Sequence, residues 1–159
     1  RDFMDLRETK IKKSIDAKVL DNKLSGLMWI TILYPDNPQK EIELLKEAIN
    51  LIKNDTRQKS IVTDYQFISV ILNSYDFSPS QVWFPYHVNP SEDSKYFEIY
   101  KKFFLNKIKE NQIKVIYTVK PLWGGNDVFE KTLGQDCFKK SDVTKILDSY
   151  LILDCKNLK

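Results

Sequence analysis

Apolar residues recur along this chain with two periods, one typical of helices and one typical of strands. Over residues 38–54 they return every three or four positions and form a single face, which predicts an amphipathic helix. Its apolar members are Ile42, Leu45, Ala48, Ile49 and Ile52. Asn37 is placed to cap this helix and Pro38 to occupy its first position.

Three shorter helices are predicted in the same way. One covers residues 67–72, and the next starts with Ser91 as its N-cap. The buried face of that second helix is expected to consist of Phe97, Tyr100, Phe104 and Ile108. The third begins at Asp127, and Gly134 can end it at the C′ position.

Runs of β-branched and aromatic residues predict the strands. They cover residues 27–34, 59–64, 81–88, 113–119 and 150–154. Pro85 lies within the third run and cannot donate a hydrogen bond to a ladder, so the far half of that run is expected at a sheet edge or outside the sheet.

Strands that alternate with helices predict βαβ crossovers, with helices on both faces of a parallel sheet. We therefore expect an α/β fold, a small three-layer Rossmann-like domain with a mostly parallel sheet of about four to five strands. A chain of 159 residues is of single-domain size. Residues 27–159 are assigned to this one domain, and residues 1–26 to a connecting segment.

Composition narrows the class of protein. The chain is 42% hydrophobic and 13% aromatic with only 4 glycines, which is typical of a folded globular domain. The net charge of +3 is spread along the chain, so no nucleic-acid partner is expected. The longest apolar run, residues 27–34, is far shorter than the roughly 20 residues of a membrane-spanning helix. Because the first residue is Arg1, we expect the chain to be cut from a longer protein.

Ligands of open parallel sheets bind beyond the carboxyl ends of the strands, so the residues there are the binding candidates. They are Asp64, Tyr65, Gln66, His87, Trp123, Gly124, Gly125 and Asn126. Asp64 could serve as a general acid or base, but an N-cap of the following helix is the favoured interpretation. Gly124-Gly125 matches no phosphate-binding motif, and a turn explains it better.

No catalytic set is predicted. His87 is the only histidine and could act with Asp64 in acid–base chemistry, although a surface or satisfied role is more typical of such a residue. One histidine and two distant cysteines match no familiar zinc spacing, so neither a metal nor a cofactor is expected.

The two cysteines, Cys137 and Cys155, leave two alternatives open. A disulfide between them would suit an extracytoplasmic location, whereas two buried thiols would suit the cytoplasm. We favour the disulfide, which would close a loop of fewer than about 20 residues.

Four segments carry a resemblance to a known family. They are residues 2–7 (DFMDLR), 24–31 (LSGLMWIT), 63–67 (TDYQF) and 95–104 (KYFEIYKKFF). The chain resembles the C-terminal soluble domain of bacterial integral-membrane glycosyltransferases of the glycosyltransferase-C superfamily. It is similar there to dolichyl-phosphate-mannose protein mannosyltransferases and aminoarabinose transferases. The likeness extends over nearly the whole chain but includes no motif of catalytic chemistry.

The resemblance implies a catalytic function for the longer protein to which this chain would belong, and an accessory role for the chain itself. Members of the family transfer a sugar from a polyprenyl-phosphate donor, using an acidic loop in the membrane region that this chain lacks. The implied role is a non-catalytic accessory domain at the periplasmic face of the inner membrane. Its implied partners are the membrane-embedded part of the same polypeptide and a lipid-linked sugar or glycan acceptor. The alternative is a free-standing, cytoplasmic α/β enzyme or binding module with its site at the strand ends.

Overall fold

The computed structural model of the protein describes residues 11–31, 33–73, 90–120 and 127–154. In these ranges the chain forms six β-strands and four α-helices. The strands are β1 (Ile15–Asp16), β2 (Met28–Trp29), β3 (Lys59–Thr63), β4 (Val115–Val119), β5 (Phe138–Asp142) and β6 (Leu147–Ile152). The helices are α1 (Pro38–Asn54), α2 (Phe67–Leu72), α3 (Phe97–Glu110) and α4 (Asp127–Leu133).

Within the described residues, the main sheet has four strands in the order β3-β4-β6-β5. Among these strands β3 and β4 are parallel, and β6 is antiparallel to both of its neighbours. The α/β class is therefore confirmed, but the mostly parallel sheet is wrong for the strands described. The cause is local, because residues 143–146 alone join β5 to β6. A connection this short makes a hairpin and cannot hold the crossover that a parallel pair needs.

The strand predicted over residues 27–34 is shorter than expected and lies outside the main sheet. Only Met28–Trp29 forms a strand, and it pairs antiparallel with β1 in a separate two-stranded sheet. The ladder ends there because the Asp16 carboxylate accepts a hydrogen bond from the Lys18 amide at 2.9 Å and caps a 3-10 turn at Ala17–Val19. That turn buries Ala17 completely, so part of the segment before residue 27 packs with the domain. The boundary drawn at residue 26 stays a prediction.

Helix α1 is confirmed at the residues where the sequence places it. Asn37 accepts a hydrogen bond from the Lys40 amide at 3.1 Å, and Pro38 occupies the first turn. The apolar face of α1 packs on β4 residues Val115, Tyr117 and Val119. The intervening β4 residue, Ile116, packs with α3 on the other face. Alternating β4 side chains thus divide the core in two, with a helix covering each half.

Helix α3 begins later than predicted. Residues 90–96 form turns, and the helix starts at Phe97. The Ser91 hydroxyl donates to the Asp93 carboxylate and so does not cap the helix. The predicted inner face is otherwise correct, since Phe97, Phe104 and Ile108 are buried; Tyr100 is only half-buried.

Other element boundaries differ by a few residues. Strand β4 begins at Val115, and β6 begins three residues before the predicted residue 150. Helix α2 lies at residues 67–72 as predicted, and α4 ends just before Gly134, whose φ of 86° is the left-handed conformation that glycine accommodates. Strand β5 was not predicted. The predicted strand over residues 81–88 lies outside the described residues.

Asp55, at the end of α1, is hydrogen-bonded to the sheet. Its carboxylate accepts hydrogen bonds from Arg57 Nη2 at 2.8 Å and from Tyr117 Oη at 2.7 Å. These bonds hold the pKa of Asp55 well below its ordinary value of 3.8, and the hydrogen bond from Arg57 has the largest effect.

We expect the Asp55→Asn variant to be less stable at pH 7 by about 1–2 kcal/mol, a modest loss because Arg57 is half exposed and solvent screens the pair. The folded state prefers the charged carboxylate, so its contribution is complete above the ordinary pKa of 3.8 and is lost as the pH falls below it. Urea unfolding from pH 7 to pH 2 should show wild type and variant converging. Glu47→Gln, an exposed change on α1, should follow wild type at every pH. A constant difference between wild type and Asp55→Asn would contradict this account.

Candidate functional site

A pocket of about 270 Å³ opens at the edge of the sheet where β3 and β4 end. It is lined by Leu33, Tyr34, Glu41, Leu44, Tyr65, Lys120, Lys145 and Ile146. Thr63 pairs with Val119 and Val119 with Leu147, so the ends of β3 and β4 and the start of β6 meet at this edge. This is the edge at which the sequence predicts ligand binding.

A buried carboxylate lies at one wall of the pocket. Glu41 is only 1% exposed. Its Oε2 accepts hydrogen bonds from Trp29 Nε1 at 2.9 Å and Thr31 Oγ1 at 2.8 Å, and its Oε1 accepts one from Tyr65 Oη at 2.8 Å. All three of these donors are neutral. Glu41 also lies in the first turn of α1, where the helix dipole favours a negative charge.

An aromatic cluster supports this carboxylate. The Trp29 ring stacks on Tyr65 with centroids 6.3 Å apart, and Phe67 meets both rings edge-on at 5.1 and 5.6 Å. Two effects raise the pKa of Tyr65 far above its ordinary value of 10.0. The larger effect is burial, and the next is the negative charge of Glu41. The Tyr65 hydroxyl therefore stays protonated at physiological pH and holds its hydrogen bond to Glu41.

Two lysines line the same pocket. Lys120 follows β4 directly, and its Nζ lies 2.9 Å from the Asp148 carboxylate, which is fully buried. Lys145 is exposed on the turn between β5 and β6. The Lys120 amide donates to the Ile146 carbonyl at 2.8 Å, which holds the two lysine-bearing segments side by side. The described lining therefore holds the exposed Lys145, the Lys120–Asp148 ion pair and the Glu41 carboxylate.

This arrangement is suited to binding. The lining residues that the structure describes combine tyrosine rings and aliphatic side chains with one carboxylate and two ammonium groups. A pocket that is mostly apolar with a few convergent polar groups is typical of small-ligand sites.

Of the residues proposed from the sequence, the structure places Tyr65 in the pocket lining. Gln66 is exposed, and its side chain donates to the Thr63 carbonyl at 3.2 Å. The N-cap position of α2 belongs to Gln66, which makes no side-chain capping bond, so the interpretation of Asp64 as the cap is wrong. His87, Trp123, Gly124, Gly125 and Asn126 lie outside the described residues, and their roles stay predictions.

The sequence reasoning missed Tyr34, Glu41 and Lys145. A signal existed for Glu41, which precedes Leu45 by four positions and Ala48 by seven. Those spacings place a charged residue on the apolar face of α1, and a charge there needs buried partners. Lys145 carried no comparable signal, since a lysine in a turn is ordinary.

In the described part of the chain, no three His, Cys, Asp or Glu side chains are grouped so that they could hold a metal ion. None of the helices at residues 11–31, 33–73, 90–120 and 127–154 is long and apolar enough to cross a bilayer. Comparison of the chain with family models, curated proteins and solved structures gave no match. The pocket and the sequence resemblance are therefore the two observations that bear on the function of the chain.

Proposed function

We propose that this chain is a non-catalytic accessory domain of a membrane glycosyltransferase, located at the periplasmic face of the inner membrane. In this proposal the pocket holds the phosphorylated-sugar part of a lipid-linked donor. The membrane-embedded part of the same polypeptide is the partner and carries the chemistry. The resemblance in four segments supports the parent activity, and the pocket at the sheet edge supports a binding role for the domain.

The observation that carries the binding role is the combination of tyrosine rings and lysine side chains in the lining of one pocket. The rings of Tyr34 and Tyr65 offer flat apolar surfaces for the face of a sugar ring. Lys145, which is exposed, offers positive charge for a phosphate, and Lys120 lines the same pocket while paired with Asp148. A phosphorylated sugar matches both kinds of group.

The fold is compatible with this proposal. The segment from β3 through α3 to β4 is a parallel crossover with its ligand site at the strand ends, as in nucleotide- and sugar-binding α/β domains. A Rossmann-like description of the whole domain stays a proposal that rests on this one crossover.

Trp29 provides a direct test, because its indole donates to Glu41 and its fluorescence should report on the pocket. The chain has 3 tryptophans, so the titration is done in the wild type, which keeps the candidate residue Trp123, and is repeated in Trp83→Phe/Trp123→Phe to isolate the emission of Trp29. We expect a short-chain polyprenyl-phosphate hexose to change the Trp29 emission saturably. The unphosphorylated sugar and the polyprenyl phosphate alone should each bind more weakly, because each can contact only the tyrosine rings or only the lysines.

The variant of choice is Lys145→Gln, because Lys145 is exposed whereas Lys120 is engaged with buried Asp148. We expect it to weaken binding of the phosphorylated ligand about tenfold, equivalent to about 1.4 kcal/mol. Lys139→Gln, an exposed change on β5, is the matched control and should bind as the parent does. No response at millimolar ligand, or equal affinity in Lys145→Gln, would overturn the binding role.

A further inference from the structure

A row of large apolar side chains on α3 faces outward. Ile99 is 69% exposed, Phe103 is 45% exposed, and Tyr96, just before the helix, is 57% exposed. Spacings of three and four place the three on one side of the helix axis. The buried residues Phe104 and Ile108 lie on a different side. The exposed row, Tyr96–Ile99–Phe103, is called the α3 stripe below.

The α3 stripe is not required by the core. Phe104 and Ile108 already pack with Val62 and Ile116 of the sheet. Single exposed apolar residues are ordinary on protein surfaces, but a contiguous group of large ones marks an interaction surface. A polar helix surface would have left the same core intact, so the stripe needs another explanation.

Lysines accompany the stripe at both ends. Lys95 Nζ lies 4.8 Å from the centroid of the Tyr96 ring, and Lys107 Nζ, which also pairs with Glu110 Oε2 at 2.6 Å on the exposed surface, lies 6.0 Å from that of Phe103. Residues 95–110 contain five lysines against two glutamates. The helix therefore combines an apolar stripe with a basic flank, which is the pattern of helices that lie in the interface of anionic membranes.

We propose that α3 docks this domain on an anionic bilayer surface. The α3 stripe enters the boundary between headgroups and acyl chains, and the lysines contact the negative headgroups. The positive charge of the lysines favours an anionic bilayer over a second copy of the chain as the partner, because two copies meeting at α3 would bring their basic flanks together. Three side chains also provide much less than the ~1,000 Å² that a specific protein–protein interface buries. The proposal does not depend on what the pocket binds.

The test is cosedimentation of the chain with large vesicles. We expect it to bind vesicles of phosphatidylcholine and phosphatidylglycerol at a ratio of 3:1 and to bind pure phosphatidylcholine at least tenfold less. Raising the salt concentration to 0.5 M should release most of the bound chain, because the Debye length falls to about 4 Å.

The double variant Ile99→Ser/Phe103→Ser should lose at least tenfold in vesicle binding while keeping its circular dichroism spectrum, since both side chains are exposed. Val19→Ser/Val143→Ser removes two apolar side chains that are 38% and 41% exposed elsewhere, and should bind as wild type does. Lys145→Gln should also bind vesicles normally, which separates this proposal from the pocket. Failure of the wild type to bind anionic vesicles, or equal binding by the Ile99→Ser/Phe103→Ser variant, would overturn it. So would a dimer in sedimentation equilibrium that this variant abolishes, which would assign the stripe to a second copy.

Discussion

Replacing Glu41 by alanine is expected to lower the free energy of unfolding by about 3 kcal/mol, a large share of the stability of a domain this size. The substitution removes the acceptor for Trp29, Thr31 and Tyr65 together. A fully buried donor left without a partner costs about 1–3 kcal/mol, and the cost here is smaller for each donor because all three are only partly buried and water can enter from the pocket. Urea denaturation followed by circular dichroism gives the value.

Two further variants test whether the lost hydrogen bonds cause the decrease in the free energy of unfolding. Glu41→Gln keeps the size of the side chain, but its amide group can accept at only one oxygen, so a smaller loss of about 1–2 kcal/mol is expected. Glu43→Ala, two positions along α1 on its exposed side, should change stability by less than about 0.5 kcal/mol. A loss in Glu41→Ala no larger than that in Glu43→Ala would show that the network does not stabilise the fold.

Reduction of the predicted disulfide between Cys137 and Cys155 is expected to destabilise the protein by about 3 kcal/mol. Cys137 is buried and is not a free cysteine, while Cys155 lies outside the described residues. The Leu153 amide donates to the Cys137 carbonyl at 2.9 Å, so the chain passes beside Cys137 two residues before it reaches Cys155. The bond would close a short loop that includes the β5–β6 hairpin and so restrict the unfolded chain.

The measurement compares urea unfolding with and without reductant. The Cys137→Ser/Cys155→Ser variant is the control, and reductant should leave its transition unchanged. Thiol titration of the unfolded, unreduced wild type should detect no reactive thiol. Two reactive thiols would remove the disulfide, and with it one reason to place the domain outside the cytoplasm.

Several elements could be predicted from sequence because their causes are local. Helix α1 has its cap at Asn37, its proline at Pro38 and one continuous apolar face, and all three act within the helix itself. Strand β3 is a β-branched run buried on both faces, and Gly134 ends α4 by its own conformation. These features do not depend on where the rest of the chain lies.

Strand β5 and the mixed sheet could not be predicted in this way. Lys139 and Lys140 are exposed on an edge strand, so β5 lacks the alternating pattern that identifies a half-buried strand. Because β5 is not predicted, the hairpin that makes β6 antiparallel to it is not predicted either, and the alternation of the remaining strands with helices predicts parallel crossovers. Strand direction depends on which segments find each other across the sheet, and periodicity within one segment does not contain that information.

In the candidate site, too, some features could be predicted from the sequence and others depend on the tertiary structure. From the sequence alone, the carboxyl ends of the strands and Tyr65 could be identified as places for a ligand, since every parallel crossover directs its loops to that edge. Only the tertiary structure brought Glu41 of α1, Trp29 of the small sheet and Lys145 of the β5–β6 turn to the same edge. These residues come from three elements that are distant in sequence. Their meeting depends on how α1 packs against the sheet. The position of Glu41 on the apolar face of α1 predicts that it has buried partners, but no spacing in the sequence identifies which residues those partners are.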